Sequence, residues 1–138
     1  MYRDFFKEIF LGTTWTNLSD MNQTIIKRIS KELLGITTRF DDSRRFNLSG
    51  TKAERYIPLL KEVGCTTFLS GPSAKNYLTE ETMEKEGIKL EWMNYEEYPE
   101  YHQLYPPFEH RVTILDLIFN EGPNMKDYML SFNNKETK

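Results

Sequence analysis

The chain opens with apolar residues at helical spacing. Phe5, Phe6, Ile9 and Phe10 fall on one face, which predicts an amphipathic helix over residues 2–11, ended by Gly12 and the Thr-Trp-Thr run. A second stripe follows in "NLSDMNQTIIKRISKELLG": Leu18, Met21, Ile25, Ile29, Leu33 and Leu34. Asn17 or Ser19 can cap its start, Asp20 suits the positive end of the helix, and Gly35 suits a left-handed C-terminal residue.

The pattern then changes. "ITTRF" (36–40), "CTTFL" (65–69) and "IKLEWM" (88–93) are short, rich in β-branched or aromatic residues, and predict strands. Between them, Thr51 and Glu54 form a T-x-x-E capping box for a helix over 52–63, with Pro58 expected to kink it or weaken one turn and Gly64 to stop it. Residues 76–78 begin a helical turn, and Thr79 starts a short helix closed by Gly87. "VTILDLIFNEG" predicts a last, strongly apolar helix. Strands alternating with helices imply parallel pairing. The expectation is one α/β domain over residues 1–138: a three-layer, mainly parallel sheet of three or more strands with flanking helices, a partial doubly wound fold.

Composition narrows the function classes. The 138 residues carry a net charge of −3 with a pI of about 5.5, which argues against a nucleic-acid footprint. No basic amphipathic helix and no long apolar run suggests a membrane. The lone Cys65 excludes an internal disulfide and fits a reducing, cytoplasmic setting. No P-loop, Rossmann glycine fingerprint or paired-cysteine motif occurs, and neither histidine has a metal-type partner, so no cofactor and no metal is expected.

Two segments are nearly alike, "LSGTKAERYI" at 48–57 and "LSGPSAKNYL" at 69–78. Their offset of 21 residues is shorter than one βαβ unit, so a duplicated module is not implied. The first is chiefly a helix start. The second lies beyond a strand's carboxyl end, where open α/β sheets bind ligands. Ser70, Gly71 and Ser73 are small, and Lys75, Asn76 and Tyr77 follow at once, so this turn is the candidate anion site. Arg45, beside Arg44 in "DDSRRF", is a candidate clamp for a phosphate or carboxylate, or is simply bonded to Asp41 and Asp42.

Asp116 stands inside the apolar helix, sharing a narrow polar face with Thr113 and Asn120. A carboxylate there is solvated, lines a crevice, or pairs with Arg45, Arg55 or Arg111. His110 precedes the same helix and suits proton transfer near neutral pH. "NYEEYPEYHQLYPPFEH" interleaves tyrosines with acids and prolines; Tyr98 and Tyr101 are candidates to stack on a sugar or base, or to anchor the loop to the core.

The runs "LLKEVGCTTFLSGPSAKNYL", "EGIKLEWMNYEEYPE" and "PPFEHRVTILDLIFNEG", in that order, closely resemble the C-terminal part of WbqC-like proteins, over roughly residues 15–123. The Gln-Pro strand and turn with which such proteins usually begin is not matched here. The resemblance implies a role in surface-polysaccharide (O-antigen) biosynthesis, with an amino acid such as glycine attached to the amino group of a nucleotide-linked amino sugar. Its matching positions are Ser70, Gly71, Tyr77, His110 and Asp116. On this basis Ser70, Gly71 and Lys75 hold the anion, Asp116 or His110 takes the amine proton, and the tyrosine-rich loop holds the sugar. That expectation needs the turn at 70–74 to face the same hollow as Asp116. The expected partner is a nucleotide-sugar or other small anionic substrate, with a homodimer as a further expectation. The alternative is a non-catalytic nucleotide-sugar or partner-binding domain.

Overall fold

The computed structural model describes residues 2–51 and 53–133, without the side chains of Ala53, Glu54 and Asn133; the Thr51–Glu54 capping box lies outside the described residues. In chain order the elements are α1 (Tyr2–Leu11), α2 (Leu18–Arg28), α3 (Ala53–Glu62), β1 (Thr67–Ser70), α4 (Glu80–Lys85), β2 (Lys89–Trp92), α5 (Ile114–Glu121) and α6 (Leu130–Asn133). A π-helical turn spans Ile29–Leu33, and 3₁₀ turns span Ser43–Arg45, Pro72–Asn76 and Gly122–Tyr128.

The helix starts follow local chemistry. The Asn17 carboxamide oxygen accepts from the N–H groups of Ser19 and Asp20 at 2.8 and 3.2 Å. Thr79 accepts from Thr82 N–H, and Thr113 from Leu115 N–H. Each satisfies amides that the first helical turn leaves without a carbonyl partner. α3 runs through Pro58 as a continuous helix.

The second apolar stripe resolves differently from a single α-helix. After α2 the backbone widens: Leu34 N–H bonds Ile29 C=O at 3.0 Å, and Ile36 N–H bonds Ser30 C=O at 2.8 Å. A wider turn brings residues five apart onto one face. Ile29 and Leu34 are accordingly both buried, while Leu33 is only half-buried. Gly35 then takes φ +67°, as expected.

The sheet is smaller than the sequence suggests. β1 and β2 pair in parallel, with Thr67 opposite Lys89 and Ser70 opposite Trp92. They form a two-stranded sheet, and residues 36–40 form no strand among the described residues. Thr37, Thr38 and Arg39 are exposed, so this β-branched run has no apolar face to pair and bury. Among the described residues the architecture is mixed α and β, with far more helix than strand and one short parallel ladder.

The chain divides into two compact units. One comprises the residues up to Phe40 and those from Glu97 onward; Phe6, Ile9, Ile29, Leu34, Leu117, Ile118 and Met125 form its core. Trp15 closes the end of α1 by donating its indole N–H to Ile9 C=O at 2.7 Å. The other unit, Asp41–Glu96, is built on Leu60, Ala74, Leu78, Met83, Ile88 and Leu90.

Candidate functional site

In the unit Asp41–Glu96, the anion candidates sit at the carboxyl ends of the two strands. Ser70 ends β1, and its carbonyl accepts from Met93 N–H at 2.8 Å. Gly71 has an extended backbone (φ −75°, ψ 150°), and Pro72 opens the 3₁₀ turn. A side chain at Gly71 would meet the Tyr95 hydroxyl at 3.5 Å, so Tyr95 lies against this turn. Ala74 is buried and anchors the turn, while Ser73, Lys75 and Tyr77 are exposed. Lys75 Nζ lies 5.3 Å from the centre of the Trp92 ring, and the Trp92 indole N–H donates to Glu80 at 3.1 Å. A half-buried tryptophan thus holds the lysine beside the strand ends, a role the sequence reading did not give to Trp92. Arg45 is ion-paired with Asp41 at 2.5 Å, and Arg44 with Asp42 at 2.7 Å.

In the other unit, Asp116 lies in the first turn of α5, where a negative charge suits the helix dipole. Its side chain is half-buried. Arg111, the arginine of the same unit considered from the sequence, makes no ion pair with it. Oδ2 instead accepts from the Tyr101 hydroxyl at 2.7 Å and from the Gln103 amide at 2.9 Å. Among the described residues Oδ1 has no hydrogen-bond or ionic partner. Thr113 and Asn120, the other polar positions of that helix face, serve the backbone: Thr113 caps α5, and the Asn120 amide donates to Asp116 C=O at 2.8 Å.

Tyr101 is held by aromatic edges. Its ring meets Phe108 at 5.0 Å and Tyr128 at 5.7 Å, both T-shaped. Burial first, and then its hydrogen bond to Asp116, push the phenol above its ordinary value; donation from Gln103 opposes this. Tyr101 is therefore a neutral donor at physiological pH. The Tyr128 phenol is also pushed up, by burial first and then by the Glu121 carboxylate.

His110 stacks edge-on against Phe108 at 4.7 Å, on an exposed side chain, with Nε2 3.6 Å from Glu100. It is linked to Tyr101 only through the Phe108 ring and makes no hydrogen bond to Asp116. Tyr98 is half-buried. The structure thus joins Tyr101 to Asp116 and groups Ser70, Gly71, Ser73, Lys75 and Tyr77 on one turn. Gln103 went unnoticed in the sequence, where an amide between His102 and Leu104 gives no local signal. Among the described residues no three His, Cys, Asp or Glu side chains converge as a metal site. A half-buried carboxylate with one oxygen held by neutral donors and the other unpartnered can bind an ammonium or accept a proton from an amine.

No helix among the described residues is long and apolar enough to cross a membrane. The WbqC-like protein family matches residues 1–128, which includes α1. The uncharacterized protein Rv1507c of Mycobacterium tuberculosis (strain ATCC 25618 / H37Rv) is similar, at 37% identity over 126 residues. That alignment covers 91% of this chain and 54% of the relative, so the chain spans about half the length of the curated relative it matches. No solved structure matches. With nearly its whole length matched, the chain belongs to the WbqC-like protein family.

Proposed function

We propose that this chain acts in surface-polysaccharide (O-antigen) biosynthesis in the cytoplasm, transferring an amino acid such as glycine to the amino group of a nucleotide-linked amino sugar. The observation that carries the reading is Asp116: half-buried, with Oδ2 held by Tyr101 and Gln103 and Oδ1 left unpartnered among the described residues. The sugar amine attacks the carbonyl carbon of an activated aminoacyl donor. The new C–N bond forms, the bond to the donor's leaving group breaks with its electron pair, and the amine proton passes to Asp116 Oδ1. Tyr101 stays protonated and keeps Asp116 oriented. Tyr98 and Tyr101 offer ring surfaces for the sugar. His110, exposed beside Glu100, is the second candidate for taking the proton onward to solvent. Within the unit Asp41–Glu96, Ser70, Gly71, Ser73, Lys75 and Tyr77 are assigned a small anion such as a phosphate, with Arg45 as a further candidate.

A non-catalytic nucleotide-sugar-binding reading draws on one observation: His110 does not hydrogen-bond Asp116, so the two candidate proton acceptors are not linked to each other. A thermal-shift panel separates the two. Deoxythymidine- and uridine-diphosphate sugars are compared in amino and hydroxyl forms, on wild type and Asp116→Asn. The proposal predicts that amino sugars stabilise the wild type most and that the preference is lost in the variant. Equal stabilisation by both forms, unchanged in Asp116→Asn, favours the binding module. No shift at millimolar ligand contradicts both.

A further inference from the structure

Gln103 makes more side-chain contacts than any catalytic assignment has asked of it. Its amide oxygen accepts from Glu109 N–H at 2.7 Å, and its amide nitrogen donates to Glu109 C=O at 3.0 Å. The same nitrogen reaches Asp116 Oδ2 at 2.9 Å and Tyr101 Oη at 3.4 Å. An amide nitrogen has two protons. The two short contacts take both, the longer contact to Tyr101 Oη shares one of them, and the Tyr101 hydroxyl spends its own proton on Asp116. Toward Glu109 the side chain behaves as a backbone peptide group would, pairing with both the N–H and the C=O. It thereby closes residues 104–108 into a loop, and that loop places Phe108 against the Tyr101 ring at 5.0 Å.

We infer that Gln103 is a positioning residue: its carboxamide ties the 103–109 loop to α5, holds Tyr101 on Asp116, and so determines which carboxylate oxygen is left to act. The inference deepens the reading of Asp116 as the proton acceptor and rests on it for its catalytic meaning. The juxtaposition itself is tested without any substrate.

The probe is the Tyr101 phenol, followed by NMR of ¹³Cζ-tyrosine protein and assigned with Tyr101→Phe. The groups facing this phenol are the Asp116 and Glu121 carboxylates, the Gln103 amide and the Tyr128 and Phe108 rings, with His110 and Glu100 behind Phe108. Gln103→Met keeps the length and packing of the side chain and removes its hydrogen bonds. In the wild type Tyr101 ionises above the ordinary tyrosine value. In Gln103→Met it falls toward that value, because burial and the Asp116 bond, both of which raise it, are lost together. Asp116→Asn lowers it in the wild-type background and hardly further in Gln103→Met. Gln103→Asn, one methylene too short to span both partners, gives the same fall while keeping an amide. Amide exchange gives a second readout: Glu109 N–H is protected in the wild type and exchanges freely in both variants.

A Tyr101 value that stays put or rises in Gln103→Met overturns the inference. That rise is what losing a donor to the phenol oxygen would cause by itself, with no positioning role. Retained Glu109 protection, or an undiminished Asp116→Asn effect in Gln103→Met, overturns it as well. If transfer to amino sugars fails while these titrations succeed, the function is wrong and the positioning stands; the reverse result isolates the fault in Gln103.

Discussion

Tyr101→Phe removes one oxygen and leaves the ring in place. The T-shaped contacts to Phe108 and Tyr128 survive, so no cavity contributes to the cost. What disappears is a 2.7 Å hydrogen bond to a carboxylate. A bond of that kind contributes about 1.5–3 kcal/mol when its acceptor is fully buried. Here both side chains are only half-buried, Gln103 remains as a donor at 2.9 Å, and water can reach the vacated position. The expected cost is therefore about 1–1.5 kcal/mol at neutral pH. A double-mutant cycle with Asp116→Asn isolates the pair. Urea unfolding is followed by tryptophan fluorescence in a Trp92→Phe background, so that the signal comes from Trp15, in the unit holding the pair. A coupling energy of about 1 kcal/mol is predicted, with Tyr101→Phe costing about half a kcal/mol or less once Asp116 is asparagine. Zero coupling, or a full cost that persists in the Asp116→Asn background, refutes the reasoning.

Gly122 has φ 55° with ψ −123°, a region that residues with a Cβ rarely enter. Gly122→Ala is expected to cost roughly 1–3 kcal/mol by urea unfolding, although the nearest side-chain atom, on Tyr2, is 3.6 Å away. Two hydrogen bonds from Arg28 hold the Glu32 carboxyl below its ordinary value. A depressed carboxyl contributes stability that is complete above its unfolded value and lost as pH falls through its folded value. A melting-temperature profile of Glu32→Gln should therefore show a shallower decline on the acid side than the wild type. Tyr101, raised in the fold, acts at the other end: its contribution is complete below an ordinary tyrosine value near 10 and lost as pH rises through its higher folded value, and Tyr101→Phe should flatten that alkaline decline.

Features set by neighbouring residues were legible in the sequence. The caps at Asn17 and Thr79 each depend on a side chain and amides two or three positions on, and both form; Thr113, read only as part of a polar helix face, caps as well. Gly35, Gly64 and Gly87 take positive φ where helices were expected to stop. The parallel pairing of the two strands around 65–70 and 88–93 was also legible, because a helix-bearing connection of that length imposes it. The strand at 36–40 was misread: β-branching marks a residue that fits a sheet but supplies no partner, and Ile36 spends its N–H on the end of the preceding helix. The π-helical turn escaped notice because Leu33 and Leu34 both satisfy an apolar stripe, and only burial shows which one faces the core. At the candidate site, the oddity of Asp116 in an apolar helix was plain. Its partners were not, since Tyr101 and Gln103 lie 15 and 13 residues upstream and reach it only through loop geometry. Charge suggested an arginine; the fold supplied neutral donors instead.

The most direct measurement follows the product. Purified protein is incubated with a nucleotide-linked amino sugar and an activated aminoacyl donor, and mass spectrometry looks for the amide-linked product. The account predicts product with the wild type and strong loss with Asp116→Asn, assayed well below the melting temperature of both proteins. Equal product from both proteins would contradict it, and so would its absence from the wild type across the sugar panel.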